Sequence, residues 1–128
     1  MKKIKRTYRI NSSIEKVWQA LVDPKTIYKW GAGPAKMSGE LDFEFELWGG
    51  DIFGKNIEVI PNKKIVQEWF GGKWDKPSIA TFKLSSKENE TRIDFTNTDV
   101  PDAEFSDIEK GWDEYYFGPM KNYLEDNN

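Results

Sequence analysis

The chain has 128 residues and a formal net charge of −3, with 38% hydrophobic, 32% charged and 15% aromatic residues. That length suits one domain with one core, and the acidic balance weighs against nucleic acid, which calls for a basic patch or stripe. With no Cys and no His, disulfide frameworks, thiol nucleophiles, Cys/His zinc sites and His-based triads are excluded, and no transition-metal site or cofactor is expected.

Lys3 to Ile10 reads as a strand, with Ile4, Tyr8 and Ile10 on one face. The run Lys2, Lys3, Lys5 and Arg6 is read as a solvated strand edge, where lysines oppose strand-to-strand aggregation. Ser12 followed by Glu15 has the spacing of a capping box. Ile14, Val17, Trp18 and Leu21 then recur at helical spacing. Asp23-Pro24 ends that helix or starts another, because proline disfavours helix at the residue before it. Pro24 to Trp30 is predicted as a second short helix, and Gly31 to Gly39 as a loop.

Leu41, Phe43, Phe45 and Leu47 alternate with Asp42, Glu44 and Glu46, the period of a strand with one buried face. Trp48-Gly49-Gly50-Asp51 is a hairpin turn. Ile52 to Ile60 is the return strand, in which Gly54 marks a bulge or a close approach. Lys64 to Phe70, Ser78 to Ser85 and Thr91 to Thr98 follow as strands, the five together making an antiparallel meander. Phe105, Ile108, Trp112, Tyr115, Tyr116, Met120, Tyr123 and Leu124 recur at three- and four-residue spacing, which predicts a long amphipathic helix. Gly118-Pro119 interrupts it, and a kink is expected there. One long helix beside segregated strands predicts an α+β domain over residues 1–128, with the helix stripe buried on the apolar face of the sheet. A strongly twisted sheet wrapped round that helix leaves a cavity between them.

Certain residues also resemble a known family in their order along the chain. They are Val17-Trp18, Asp23-Pro24, Trp30, Leu47-Trp48-Gly49-Gly50, Gly54, Pro61 before Ile65-Val66 and Trp69, Thr91-Arg92-Ile93 and Gly111-Trp112. The chain is similar through nearly its whole length to the activator of heat-shock protein 90 ATPase homologue 1-like family of the START-like (Bet v 1-like, SRPBCC) superfamily. The resemblance implies the helix-grip fold: a curved antiparallel sheet around a long C-terminal helix, with two short helices after the first strand. It implies function less sharply, since START-like domains serve as lipid binders, cyclases, hydroxylase partners and co-chaperones, and fold does not fix function.

Parity along the strands places the candidate pocket residues inward: Leu41, Phe43, Phe45 and Leu47, then Phe53, Ile57 and Val59. Ile65, Gln67 and Trp69 follow, then Ala80, Phe82 and Leu84, and finally Thr91, Ile93, Phe95 and Asn97. Trp112, Tyr115, Tyr116 and Met120 of the helix face them. The expected ligand-binding set is Phe43, Phe45, Phe53, Ile57, Gln67, Trp69, Phe82, Phe95, Asn97, Trp112, Tyr115, Tyr116 and Met120. Gln67 and Asn97 are polar in otherwise apolar rows. They either orient a ligand or bond to each other, to water or to the tyrosine hydroxyls. Glu44, Glu46 and Glu68 are read as a solvated outer face, because acid–base work at neutral pH needs burial. Asp99, Asp102, Glu104, Asp107 and Glu109 are read as an acidic loop and helix start, favourable at the helix dipole. Most of the six tryptophans are read as core. Trp74, between Lys73 and Asp75, is the one expected to be exposed and open to a partner or to serve as a lid.

The function expected is therefore a binding module for a hydrophobic small molecule, lipid-like or aromatic, rather than an enzyme. A co-chaperone-like protein-interaction domain is the second reading and a cofactor-free enzyme the third. No apolar run approaches the ~20 residues of a membrane span, the N-terminus lacks the apolar centre of a signal peptide, and a cytoplasmic setting is the default expectation. Nothing in the residues speaks to oligomeric state.

Overall fold

The computed structural model describes residues 2–72 and 74–127. Six strands form one antiparallel sheet: β1 Lys2–Ile10, β2 Glu44–Leu47, β3 Ile52–Ile60, β4 Lys64–Gly71, β5 Ser78–Lys87 and β6 Glu90–Val100. Their order across the sheet is β1-β6-β5-β4-β3-β2. The meander is as expected, and β1 closes on β6, with Ile4 opposite Asn97 and Tyr8 opposite Ile93. The basic N-terminal run therefore lies on an edge strand. There Arg6 pairs with Glu109 at 2.7 Å, and the Lys2 ammonium sits 4.9 Å from the centre of the Phe105 ring.

Two short helices follow β1, α1 Ile14–Val22 and α2 Pro24–Trp30. The N-cap of α1 is Ser13, not Ser12: the Lys16 amide donates to Ser13 Oγ at 3.3 Å. Ser12 is buried instead, and its carbonyl accepts from Thr91 Oγ1 at 2.8 Å. The turn out of β1 thus occupies Ser12 and moves the cap on by one. Asp23 closes α1 and caps α2 through the Thr26 amide at 3.1 Å, and Pro24 stands in the first turn, where its missing N–H costs nothing. The segment after α2 is held to β2: Trp48 donates to Ala32 and Gly49 to Pro34, and Lys36 bridges Glu46.

The C-terminal helix is composite: α3 Phe105–Gly111, a π-helical turn Trp112–Phe117, and α4 Gly118–Asp126. Gly118-Pro119 marks the break between the last two. The Gly118 amide donates to the Asp113 carbonyl, five residues back, and a Cβ on Gly118 would stand 2.4 Å from that oxygen. The π turn buries Trp112, Tyr116 and Phe117, and α4 buries Met120 and Leu124.

Parity fails on two strands. β2 begins only at Glu44, and Leu41 lies before it, 59% exposed. On β3 the inward residues are Gly54 and Asn56, because a bulge between Asn56 and Glu58 leaves Ile57 unpaired. Phe53 and Ile57, both expected in the pocket, are exposed (45% and 39%), and Phe53 stacks on Phe70 with centroids 5.4 Å apart on the other face. Past the bulge the parity reverses, so Val59 packs against the core as expected. Gly54 marks a close approach: a Cβ there would stand 1.7 Å from the Glu68 carbonyl and 2.8 Å from the Phe45 ring.

Candidate functional site: an aromatic cleft

The space between sheet and helix is largely filled by side chains. Phe82, Phe95, Trp112, Tyr116 and Phe117 form a continuous aromatic core, with Phe95 and Trp112 centroids 4.4 Å apart and Phe82 and Phe95 5.0 Å apart. Phe45, Phe82, Phe95 and Met120 are all 1% exposed or less. These expected ligand contacts, with the half-buried Phe43, serve the core instead, because neighbouring rings occupy the volume a ligand would need.

An open cleft of about 350 Å³ remains at one end. Trp48, Asp51 and Ile52 line it from the β2–β3 turn and the start of β3, Trp69 from β4 and Trp74 from the β4–β5 loop. Ile108 and Gly111 of α3 and Trp112, Tyr115 and Tyr116 of the π turn close the other side. Of the expected set, Trp69, Trp112, Tyr115 and Tyr116 meet here. Trp69 and Trp112 lie 4.6 Å apart and Trp112 and Tyr116 5.0 Å, a packed cluster on which the cleft rests. Tyr115 is 63% exposed.

Gln67 and Asn97 are on the inner face and fully buried. Neither lines the cleft, nor do they bond to each other or to a tyrosine. Each fixes an indole that does line it. The Trp69 indole N–H donates to Gln67 Oε1 at 2.8 Å, and the Trp112 indole N–H to Asn97 Oδ1 at 3.0 Å. Gln67 Nε2 donates in turn to Asn56 Oδ1 at 3.1 Å, and Asn56 Nδ2 to the Ser38 carbonyl at 2.8 Å. Asn97 Nδ2 donates to the Ile79 carbonyl at 3.1 Å. The other two cleft indoles are tied as well. Trp48 Nε1 donates to the Gly31 carbonyl at 3.1 Å, and Trp74 Nε1 to the Glu104 carboxylate. All four tryptophans therefore offer the cleft ring surface and no free donor.

Burial pushes the Tyr116 phenol far above its ordinary range. Tyr8, whose hydroxyl donates to Asp113 at 2.5 Å, is raised by burial first and by that bond second. Among the described residues no three carboxylates gather as a metal ligand set. Trp74 is half-buried and held by Glu104, so its loop is tethered to the short 3₁₀ turn before α3; Lys73 beside it lies outside the described residues. Sequence reasoning missed Trp48, Asp51 and Ile52 as lining residues. The signal available was the hairpin turn itself, which carries a tryptophan and a carboxylate to the end of the sheet.

The family model described as activator of Hsp90 ATPase homolog 1-like protein matches residues 11–125. The chain is 22% identical over 121 residues to mouse activator of 90 kDa heat shock protein ATPase homolog 2, covering 93% of this chain and 37% of that protein. It is 25% identical over 126 residues to the Hsp90 co-chaperone AHA1 of Saccharomyces cerevisiae, covering 90% and 35%. It thus spans little more than a third of the length of these relatives. Among solved structures, an HSP90 activator from Plasmodium falciparum superposes with a TM-score of 0.88 at 22% identity, covering 95% of each chain. A protein from Mesorhizobium loti superposes with a TM-score of 0.85 at 20% identity, covering 99% of each. Those two likenesses carry the helix-grip fold, and the match over residues 11–125 carries the family: this chain belongs to the activator of Hsp90 ATPase homolog 1-like family.

Proposed function

We propose that this domain is a binding module, not a catalyst, and that its cleft takes a small apolar molecule bearing a flat ring. The supporting observation is the wall of the cleft: four tryptophans and two tyrosines around about 350 Å³. Apolar surface removed from water contributes roughly 25 cal/mol per Å², and rigid rings lose little freedom on binding. Gln67 and Asn97 act behind the wall by fixing two indoles. Catalysis has less behind it, since burial holds the Tyr116 phenol away from service as a base near neutrality.

Titration with 3-tert-butylphenol, followed through the indole N–H resonances, tests this reading. Saturable shifts of the Trp69, Trp74 and Trp112 signals are expected. An added Cβ on Gly111 meets nothing closer than Tyr115 Cδ2 at 3.8 Å, so a larger side chain there grows into the cleft. Gly111→Leu should weaken binding at least about tenfold and leave the melting temperature close to that of the parent. Absence of any saturable shift up to the solubility of the phenol would refute the proposal.

A second reading, a co-chaperone domain acting on a 90-kDa heat-shock protein in the cytoplasm, is supported by what the relatives are called. ATPase assays of such a chaperone with and without this chain test it; an unchanged rate at saturating chain would count against it.

A further inference from the structure

We infer that the cleft selects hydrophobic cations, a quaternary ammonium on an aromatic or apolar body, over neutral molecules of the same shape. This rests on the reading of the cleft as a small-molecule site. Among the described residues the lining contains one charged side chain, the carboxylate of Asp51, and no lysine or arginine. The rest is ring and aliphatic surface with two phenol oxygens.

The faces of aromatic rings carry negative charge density and attract a cation placed over them. A free indole N–H would compete by offering positive edge charge, and here all four are bonded to protein oxygens. Donation into an acceptor leaves the ring more electron-rich, most of all for Trp74, whose acceptor is a carboxylate side chain, that of Glu104.

The surrounding charge has the same sign. Residues 99–114, of which Ile108, Gly111 and Trp112 line the cleft, carry seven carboxylates against one lysine, and two of the seven, Glu109 and Asp113, bond to Arg6 and Tyr8 of β1. Glu109 is partly offset by Arg6. Among the described residues the lysines nearest to the lining in the chain, Lys76 and Lys110, are exposed and outside it; Lys73, next to Trp74, lies outside the described residues. A cation entering the cleft would meet ring faces and negative potential. An anion would meet, among the described residues of the lining, no free side-chain donor except the phenols.

The test compares two isosteres, 3-hydroxyphenyltrimethylammonium and 3-tert-butylphenol, by the same indole resonances. The cation should bind at least about fivefold tighter at low salt, the range expected of a partly desolvated cation–π site. Rising ionic strength should narrow the ratio by screening. Asp51→Asn should bring the two ligands closer together, and Trp74→Leu, on a surface loop, should do so more strongly. Equal affinity, or preference for the phenol, would overturn the cation inference and leave the apolar cleft standing. Failure of both compounds to shift the indoles would instead sink the small-molecule reading on which it rests. An unchanged ratio in both variants would also overturn the assignment, since the selectivity would then arise elsewhere.

Discussion

Gln67 and Asn97 hold the cleft tryptophans from behind, so their removal should be felt first in stability. Gln67→Leu strands the Trp69 indole N–H and the side-chain Oδ1 of Asn56, both away from water. Each buried polar group left without a partner costs about 1–3 kcal/mol. A clear drop in the urea midpoint is expected for Gln67→Leu, and likewise for Asn97→Leu, which strands the Trp112 indole and the Ile79 carbonyl. Unchanged midpoints would show that these bonds matter little. Tyr116 makes a different prediction. The folded chain keeps its phenol proton well above the ordinary pKa of about 10. Above that pH the unfolded chain releases the proton, so the unfolded state gains and stability falls as pH rises. For one phenol the slope is about 1.4 kcal/mol per pH unit. Below it the group adds no pH dependence. Tyr116→Phe should therefore flatten the alkaline limb of the denaturation profile and leave the part due to Tyr8. An identical limb in the variant would contradict the assignment.

At the scale of elements, two glycines decide how far the aromatic residues can close up. Gly54 lets Phe45 lie over β3, and the tilted Phe45 and Trp69 rings stand 5.9 Å apart above it. Gly118 admits the Asp113 carbonyl against its Cα, which keeps the π turn closed. A π turn carries one residue more per turn than the α-helix, and such turns are frequent at functional sites. Here it places Trp112, Tyr115 and Tyr116 on the cleft while Phe117 points to the Tyr8 ring, stacked at 4.1 Å. Gly118→Ala forces the Asp113 carbonyl to move, at a cost of about 1–3 kcal/mol, the usual range for overpacking. Thermal unfolding checks it. The indole resonance of Trp112 should shift with it, since that side chain sits in the same turn. A melting temperature equal to that of the parent would contradict the close contact.

For the molecule as a whole, the closing helix completes the core. Trp112, Tyr116, Phe117, Met120 and Leu124 are all buried, and without them the inner face of the sheet would meet water. A chain ending at Lys110 should lose cooperative thermal unfolding and near-ultraviolet dichroism. A cooperative transition in that truncation would show that the sheet stands alone. The cleft would vanish with the helix, since α3 and the π turn supply half of its lining.

Local pattern determined most of the architecture. The alternation in Phe43–Leu47, the Asp23-Pro24 junction and the helical stripe from Phe105 to Leu124 each depend on neighbours a few residues apart, so each is visible in the chain. So is the inward placement of Gln67 and Asn97, since β4 carries no bulge and the irregularity in β6 comes only after Asn97. Tertiary structure decided the rest. The bulge at Ile57 turns Phe53 outward, and nothing in the residues before it announces an extra residue. The partners of the two buried amides come from Trp69, Asn56, Trp112 and Ile79, mostly on other strands or the helix, and long-range pairings are not written in local spacing. Whether the cavity is open depends on how five rings from two strands and the π turn interlock. Packing at interior density leaves room only where the elements end, and for that reason the site is a cleft at the mouth of the sheet, lined by Trp48 and Trp74 from its turns.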